Sequence, residues 1–310
     1  MTDRLEFLAG TSHPTLARLI SQKCHKELVP VTISTFPNSE TSIQIHGSVS
    51  GADVFIVQAV TAPTNNTLME LLLMVDAARR GSAKRVTAVL PHLGYARQDR
   101  VSRPGEPVSA QVIARLLKAV GLDQIIVVDP HSLAFGEFCT LEQLALIELS
   151  AVSLLARSIE ELDFANVQIV SPDKGGMIRA EQFARLVTPG RPPLVIPKKR
   201  LDHETVTMDE IIGEVGETAI IVDDVLSTGG TICEAARLLD RSGAKKIWVA
   251  VTHGEFIGQA RAKLGAAPIS GLLVTDSLPV PARRLPKGVH RVSLAALLSE
   301  EIGRSHRSFS

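Results

Sequence analysis

The chain has 310 residues, 45% of them hydrophobic and 21% charged, which suits one large or two ordinary α/β domains. Lys plus Arg and Asp plus Glu both number 33, so no basic excess points to nucleic acid or to a membrane surface. No apolar run approaches the ~20 residues of a spanning helix, and the first residues lack the apolar core of a signal peptide. Cys24, Cys139 and Cys233 are scattered in apolar contexts, as buried thiols of a reducing compartment are, so we expect a cytoplasmic protein.

Short apolar strands alternate with amphipathic helices along the first half of the chain. The pattern predicts strands at 7–9, 31–36, 41–45, 54–57, 86–90 and 125–129, and helices at 14–23, 65–80 and 109–120. Ser109 is the predicted N-cap of the last of these helices. Polar loops follow two of the strands, at residues 91–100 and at Pro130-His131. Parallel strands would bring both loops to one edge of a sheet.

The second half repeats this organisation. It predicts strands at 167–170, 195–196, 219–222, 247–251 and 272–274, and helices at 154–161, 177–183, 232–239 and 294–302. The polar alternation at 205–208 indicates a hairpin or flap. Residues 116–131 and 238–253 align without a gap and agree at six of sixteen positions, including a terminal histidine. We therefore expect two related α/β halves that meet near Leu146.

The most informative segment joins a buried strand to a helix. Asp223 and Asp224 end the apolar run that begins at Ala219, and Ser227-Thr-Gly-Gly-Thr231 leads into the helix. Glycines allow close backbone approach, and the free amides at a helix start, with nearby hydroxyls, form a seat for a phosphate. Two adjacent carboxylates suit the vicinal hydroxyls of a sugar, or a divalent cation that accompanies the ligand. Together these features describe a ribose 5-phosphate site.

Six segments together resemble the ribose-phosphate pyrophosphokinase family and are collinear with it over nearly the whole chain. They are Phe36-Pro-Asn-Ser-Glu40, Gly94-Tyr-Ala-Arg-Gln-Asp99, Val128-Asp-Pro-His131, Ser171-Pro-Asp-Lys-Gly-Gly176, Lys198-Lys-Arg200 and the strand–turn segment just described. The last of these alone is also similar to the phosphoribosyl-diphosphate signature of type I phosphoribosyltransferases. The resemblance implies transfer of a diphosphoryl group from ATP to O1 of ribose 5-phosphate, giving phosphoribosyl diphosphate and AMP.

The resemblance also implies the fold: α/β, with two tandem type I phosphoribosyltransferase-like domains, each an open, mainly parallel sheet flanked by helices. Residues 1–146 would form the first domain, with the adenine loop and the ATP-contacting residues. Residues 147–310 would form the second, with the ribose 5-phosphate site and a catalytic flap. The last helix is assigned either to the second domain or to packing back on the first.

The family's site residues transfer to this chain one by one. Lys198 and Arg200 would lie on a mobile flap and neutralise the triphosphate in the transition state. His131, beside Asp129, would hold Mg²⁺ or the β-phosphate, and Asp173 would bind Mg²⁺ or ribose. The remaining assignments are ATP contacts from Phe36, Asn38, Glu40, Arg97, Gln98 and Asp99, ribose hydroxyl contacts from Asp223 and Asp224, and 5-phosphate contacts from Ser227, Thr228, Gly229, Gly230 and Thr231. His92 and His253 are interpreted as structural.

The adenine loop, residues 36–40, reaches the active site of a neighbouring subunit in this family. We therefore expect a homo-oligomer, a dimer or a hexamer, that binds ATP and ribose 5-phosphate but neither nucleic acid nor membrane. Asn38 and Ser39 replace the Asp-Gly that many relatives have, so the nucleotide preference stays open. Around residues 48–51 an arginine of the phosphate-regulated members is missing, and we do not predict phosphate activation.

Two other functions fit parts of this pattern. A phosphoribosyltransferase would need residues 223–231 but neither the adenine loop nor residues 94–99. A non-catalytic regulatory subunit would bind nucleotide, but such relatives tend to lose the flap, which Lys198 and Arg200 retain.

Overall fold

A computed structural model describes residues 4–160, 162, 164–196, 198–200, 206–208, 211 and 213–309, without the side chains of 198–200 and 206–208. The chain divides into two compact units. The first comprises Met1–Leu149, Ser277–Pro279 and Leu294–Ser310, and the second comprises Ser150–Asp276 and Val280–Ser293. None of the described helices combines the length and the apolar character needed to cross a membrane.

The first unit contains a five-stranded parallel sheet and an antiparallel hairpin. Its strands are β1 (Leu5–Ala9), β2 (Val31–Thr35), β3 (Thr41–Ile45), β4 (Asp53–Val57), β5 (Arg85–Leu90), β6 (Gln124–Val128) and β7 (Ala145–Leu149). Its helices are α1 (Pro14–Lys23), α2 (Thr64–Arg80), α3 (Ser109–Ala119), α4 (Ala134–Leu141) and, from the end of the chain, α9 (Ala295–Phe309). The sheet order is β1-β4-β5-β6-β7, and β2 pairs with β3 as the hairpin.

The second unit contains a six-stranded parallel sheet and a short two-stranded ladder. Its strands are β8 (Val167–Ser171), β9 (Leu194–Val195), β10 (Lys198–Arg200), β11 (Val206–Met208), β12 (Thr218–Leu226), β13 (Lys246–Gly254), β14 (Gly271–Thr275) and β15 (Val289–Val292). Its helices are α5 (Val152–Glu160), α6 (Met177–Val187), α7 (Gly230–Arg241) and α8 (Ala260–Gly265), with a 3-10 turn at Ala282–Arg284. The sheet order is β15-β14-β13-β12-β8-β9, and β10 pairs antiparallel with β11.

Apolar patterning explains why these segments form buried layers. All residues of β4 and β5 are buried, as expected for central strands covered by helices on both faces. In α2, Leu68, Leu71, Met74, Val75 and Ala78 recur at helical spacing and face the first core. The prediction of two open parallel sheets flanked by helices is confirmed. The boundary predicted after residue 146 falls inside β7, an edge strand that the apolar pattern did not reveal.

The three cysteines carry free thiols. Cys139 and Cys233 are buried, and Cys24 is partly buried. Burial raises the pKa of all three thiols, that of Cys139 to about 12 with a further contribution from Glu148. A raised pKa disfavours the thiolate, which is the reactive form of cysteine. These side chains therefore act as small apolar packing residues.

Candidate active site

The segment singled out in the sequence lies at the carboxyl edge of the second sheet. β12 runs through Asp223 and Asp224 and ends at Leu226, so the expectation that the acids end the strand is wrong. Gly229 then adopts φ 77°, a left-handed conformation that favours glycine, and α7 starts at Gly230. No described side chain caps this helix start, so its first amides remain available to an anion. Ser227 and Thr231 are partly exposed and Thr228 is exposed around the turn.

The two acids interact directly with each other. The backbone amide of Asp224 donates to Oδ1 of Asp223 at 2.9 Å, and Asp224 is 7% exposed. Burial, and secondly the adjacent Asp224, raise the pKa of the Asp223 carboxyl well above its usual range. A raised pKa favours the protonated form of Asp223 beside the neighbouring acid. Such a pair can both donate to and accept from the hydroxyls of a sugar.

Arg179 is a charged partner of this pair that the sequence analysis missed. Its Nη1 lies 3.7 Å from Oδ1 of Asp224, and both side chains are largely buried. Arg179 stands in the first turn of α6, the helix that follows residues 171–176. The signal was a basic residue three positions after the glycine pair Gly175-Gly176, which places it near the strand ends.

Asp173 belongs to a second turn at the same edge, because β8 and β12 are neighbours in the sheet. Its Oδ1 accepts a hydrogen bond from the amide of Gly176 at 3.0 Å, and Ser171 Oγ donates to its carbonyl at 2.7 Å. A Cβ on Gly176 would stand 2.7 Å from Ser171 Oγ, so a larger residue there would displace the Ser171 hydroxyl. Asp173 therefore occupies a compact turn beside the acid pair.

In the first unit, the loop after β5 and the turn after β6 lie next to each other at the carboxyl edge. Gln98 accepts from Ser109 Oγ at 2.5 Å, and Asp99 accepts from Ser132 Oγ and from Arg100 Nε, the latter at 2.9 Å. The hydrogen bond from Arg100 is the main cause that lowers the pKa of Asp99. Arg97, which directly precedes these anchored residues, is exposed.

His131 follows the turn residues Asp129 and Pro130 and is exposed. Asp129 is buried and adopts φ 37°, and its amide donates to the carbonyl of Leu149 at 2.8 Å. Glu148, at the end of β7, is a further carboxyl that the sequence analysis missed. Partial burial, and then the charge of Asp129, raise the pKa of Glu148. The edge that carries His131 is thus locally acidic.

His92 and His253, the two histidines interpreted as structural, are buried. His92 Nδ1 lies 3.0 Å from the carbonyl of Val60, and the amide of Val60 donates to the carbonyl of His92 at 2.9 Å. A Cβ on Gly94 would approach the Val60 carbonyl to 2.8 Å. The loop after β5 is therefore docked on residues 60–64. His253 lies within β13 and is 2% exposed.

Residues 36–40 form the tip of the β2–β3 hairpin, whose apolar side chains pack on the first core. Phe36, Asn38 and Glu40 are all exposed, Phe36 by 52%. The amide of Phe36 donates to the carbonyl of Glu40 at 2.8 Å, and the amide of Glu40 donates to Asn38 Oδ1 at 3.2 Å. An exposed aromatic ring on an ordered turn is available to stack on a planar ligand.

Lys198 and Arg200 lie on β10, and their side chains are outside the described part of the chain. The backbone forms a ladder in which Lys198 pairs with Met208 and Arg200 with Val206.

No three His, Cys, Asp or Glu side chains cluster as a metal cage within the ranges that the structure describes. Mg²⁺ usually keeps several waters and is bound by one or two carboxylates together with substrate phosphates. Asp173, a single carboxylate on a compact turn of the second unit, fits that pattern of sparse protein ligands. In the first unit, His131 stands near the carboxyl groups of Asp129 and Glu148.

Comparisons with known proteins agree along the whole chain. Residues 5–121 match the N-terminal domain of ribose phosphate pyrophosphokinase, and residues 192–310 match the phosphoribosyl synthetase-associated domain. The ribose-phosphate pyrophosphokinase of Gloeobacter violaceus is 37% identical over 310 residues, which cover 99% of this chain and 92% of that protein. The ribose-phosphate pyrophosphokinase of Rhizobium meliloti is 38% identical over 311 residues, which cover 99% of this chain and 98% of that protein. A crystal structure of phosphoribosylpyrophosphate synthetase from Mycobacterium smegmatis superposes with a TM-score of 0.92 at 35% identity, covering 99% of this chain and 100% of that one.

Proposed function

The chain belongs to the ribose-phosphate pyrophosphokinase family, and from this we infer that it is a ribose-phosphate diphosphokinase. It transfers the β,γ-diphosphoryl group of ATP to O1 of ribose 5-phosphate, giving 5-phosphoribosyl 1-diphosphate and AMP. The observation that carries this conclusion is the similarity over 99% of the chain, including both units. A phosphoribosyltransferase, the alternative considered above, would leave the match of residues 5–121 unexplained.

The sugar binds, in our proposal, at the carboxyl edge of the second sheet. The uncapped start of α7 and the hydroxyls of Ser227, Thr228 and Thr231 take the 5-phosphate, which Gly229 and Gly230 allow to approach the backbone. Asp223 and Asp224 hold the ribose hydroxyls and thereby orient O1 toward the nucleotide. Fixing the nucleophile in this way supplies the positioning on which phosphoryl transfer depends.

We assign the nucleotide to the residues of the first unit. Arg97, Gln98 and Asp99 form the ATP-binding loop, and Phe36, Asn38 and Glu40 bind the adenine of a neighbouring subunit, so the working form is a homo-oligomer. His131 and Asp173 are the proposed magnesium ligands. When bound, Mg²⁺ neutralises the charge that develops on the transferring diphosphoryl group. The buried free thiols fit the cytoplasmic location that we propose.

Lys198 and Arg200 are the proposed catalytic cations. Phosphoryl transfer needs positive charge where negative charge develops, and a hairpin that closes late delivers it to the transition state. Cations that act only in the transition state contribute little to the binding of ATP and ribose 5-phosphate in the ground state.

The activity is tested by incubating the purified protein with ATP, Mg²⁺ and ribose 5-phosphate and measuring AMP. We expect AMP and phosphoribosyl diphosphate in equal amounts, and no AMP when the sugar is omitted. A protein that binds ATP but never releases AMP under these conditions is a regulatory subunit, and the proposed activity is then wrong.

Lys198→Ala should lower kcat by roughly 10²- to 10³-fold, because it removes one stabilising donor from the transition state. Ribose 5-phosphate binding, measured by calorimetry, should change little. Lys199→Ala is the matched control, since it removes the neighbouring cation of the same strand. If binding and turnover fall together in Lys198→Ala, the assignment of the flap is wrong.

A further inference from the structure

Two segments at the carboxyl edge of the first sheet are joined by one side-chain hydrogen bond. The nucleotide loop comprises residues 91–100 and follows β5, and the histidine turn comprises residues 129–132 and follows β6. Ser132 Oγ, in the histidine turn, donates to Oδ2 of Asp99, in the nucleotide loop. We propose that Asp99 and Ser132 form a latch that positions the nucleotide loop against the histidine turn and so sets the affinity for magnesium–ATP. This inference rests on the proposed function for the assignment of ATP to this edge.

The Asp99 carboxylate accepts hydrogen bonds from other residues of the protein. Its side chain is only 9% exposed. Arg100 Nε donates to Oδ1 at 2.9 Å, and Arg100 Nη2 and Ser132 Oγ both donate to Oδ2. A carboxylate would also repel a triphosphate at short range. Asp99 is therefore better suited to hold the loop than to contact the nucleotide, and we revise its role from ligand contact to positioning residue.

Ser132 is itself held in place within the histidine turn. Its Oγ accepts a hydrogen bond from the amide of Ala134 at 3.1 Å, at the start of α4. The hydroxyl therefore joins a helix start on one side to an ionised carboxylate on the other. Hydrogen bonds to charged groups are the stronger class, so this contact can define a loop position.

The latch lies close to the residues proposed to contact ATP and Mg²⁺. Ser132 directly follows His131, and Asp99 lies two residues after Arg97. Gln98, between Arg97 and Asp99, is held by the start of α3. Its side-chain Oε1 accepts from Ser109 Oγ at 2.5 Å, and its carbonyl accepts from the amide of Ala110 at 3.2 Å. The exposed Arg97 is thus presented from a loop that is anchored on both sides. Without the Ser132 bond, one anchor and the register with His131 would be lost.

The decisive variant is Ser132→Ala, which removes a single hydroxyl. We expect the Kd for ATP with Mg²⁺, measured by calorimetry, and the KM for ATP to rise about tenfold, as for loss of a hydrogen bond to a charged group. The KM for ribose 5-phosphate and kcat at saturating ATP should stay within about twofold. Ser132→Thr keeps the hydroxyl and should restore ATP binding.

Ser21→Ala is the matched control, because it likewise removes a serine hydroxyl of the first unit, one that donates to the carbonyl of Arg18. It should leave both KM values unchanged. Since Asp99 and Ser132 act as a pair, Asp99→Ala combined with Ser132→Ala should weaken ATP binding no more than either change alone. Asp99→Asn, which keeps the shape of the side chain, gives a second measurement should Ser132→Ala not fold.

An unchanged Kd for ATP in Ser132→Ala, an equal rise in both KM values, or additive losses in the double variant would each overturn the latch. The failure of the proposed function looks different: the wild-type protein would form no AMP from ATP and ribose 5-phosphate. In that event the calorimetric Kd for ATP still decides whether the latch exists.

Discussion

At the scale of single residues, the acid pair of β12 shows how a site is held at a cost to stability. Asp223 and Asp224 are adjacent in an otherwise apolar strand, and the pKa of Asp223 is raised by burial and by its neighbour. Arg179 offsets part of this cost through Asp224. Ionisable groups whose pKa is strongly shifted by burial and by a neighbouring acid concentrate at functional sites, which supports the proposed ligand role of this pair.

Asp223→Asn should stabilise the protein in a pH-dependent manner. Because the folded-state pKa is raised, the folded form holds the proton more tightly than the unfolded form does. This contribution is complete below the unfolded pKa and is lost as pH rises through the folded pKa. The asparagine does not titrate, so urea unfolding should show the stability of the variant, relative to wild type, increasing from pH 4 to pH 8.

The matched control for this change is Asp240→Asn, at an exposed aspartate of α7, which should leave the free energy of unfolding nearly unchanged. Calorimetry should at the same time show weaker ribose 5-phosphate binding in Asp223→Asn. A stability difference that shrinks as pH rises contradicts the proposed state of the Asp223 proton.

Residue chemistry could be predicted where the chain itself places the groups together. Asp223, Asp224 and Ser227-Thr-Gly-Gly-Thr231 are contiguous, so their shared turn follows from strand and helix patterns alone. The roles of Arg179 and Ser132 were not predicted, because the partner of each lies more than thirty positions away in the sequence. Arg179 contacts Asp224, and Ser132 contacts Asp99. Such contacts depend on which strands are neighbours, and periodicity does not specify sheet order.

At the scale of elements, buried strands and amphipathic helices were predictable, whereas short or exposed ones were not. β5 is apolar throughout and α2 has a clear helical stripe. α4 and β7 were missed because a glycine interrupts the short α4 and because β7 is a half-exposed edge strand. Ser109 was predicted as an N-cap, but Val108 occupies that position and the Ser109 hydroxyl donates to Gln98.

The amino edge of the first sheet has a polar cluster that ties α9 to two strands. Asp53, at the start of β4, is fully buried and accepts two hydrogen bonds from Arg85, at 2.7 and 2.6 Å. His306 Nδ1 lies 2.8 Å from the same carboxylate, and Arg85 donates to the carbonyl of Ser305 at 3.1 Å. The Arg85 guanidinium also stacks 4.1 Å from the ring centroid of Phe309.

Arg85→Met should lower the free energy of unfolding by about 3–5 kcal/mol, because it leaves Asp53 buried without its main partner. Urea unfolding monitored by circular dichroism measures this loss. Arg80→Met is the control, since Arg80 pairs with Asp76 on the exposed face of α2 and its removal should leave stability nearly unchanged. Equal effects of the two changes would show that the cluster contributes no more than a surface pair.

At the scale of the whole molecule, the sequence order and the spatial units differ. The chain leaves the first unit at Leu149 and returns to it for α9, which packs against α1. Leu298 and Ile302 of α9 are fully buried, and Cys24 Sγ lies 3.8 Å from the carbonyl of Ser299. An amphipathic stripe predicts that a helix is covered but not by which unit, so the sequence left this assignment open.

Deleting residues 294–310 should therefore destabilise the first unit selectively, although the deletion lies at the far end of the chain. We expect faster amide exchange in α1, β4 and β5, measured by mass spectrometry, and unchanged exchange in β12 and β13. Leu298→Ala should reproduce the pattern more mildly, at a cost of about 2–5 kcal/mol for a buried leucine. Glu300→Ala, on the exposed face of α9 at 74% side-chain exposure, is the control. Faster exchange in β12 and β13 as well would mean that the two units unfold as one cooperative structure, and the separate role of α9 would have to be abandoned.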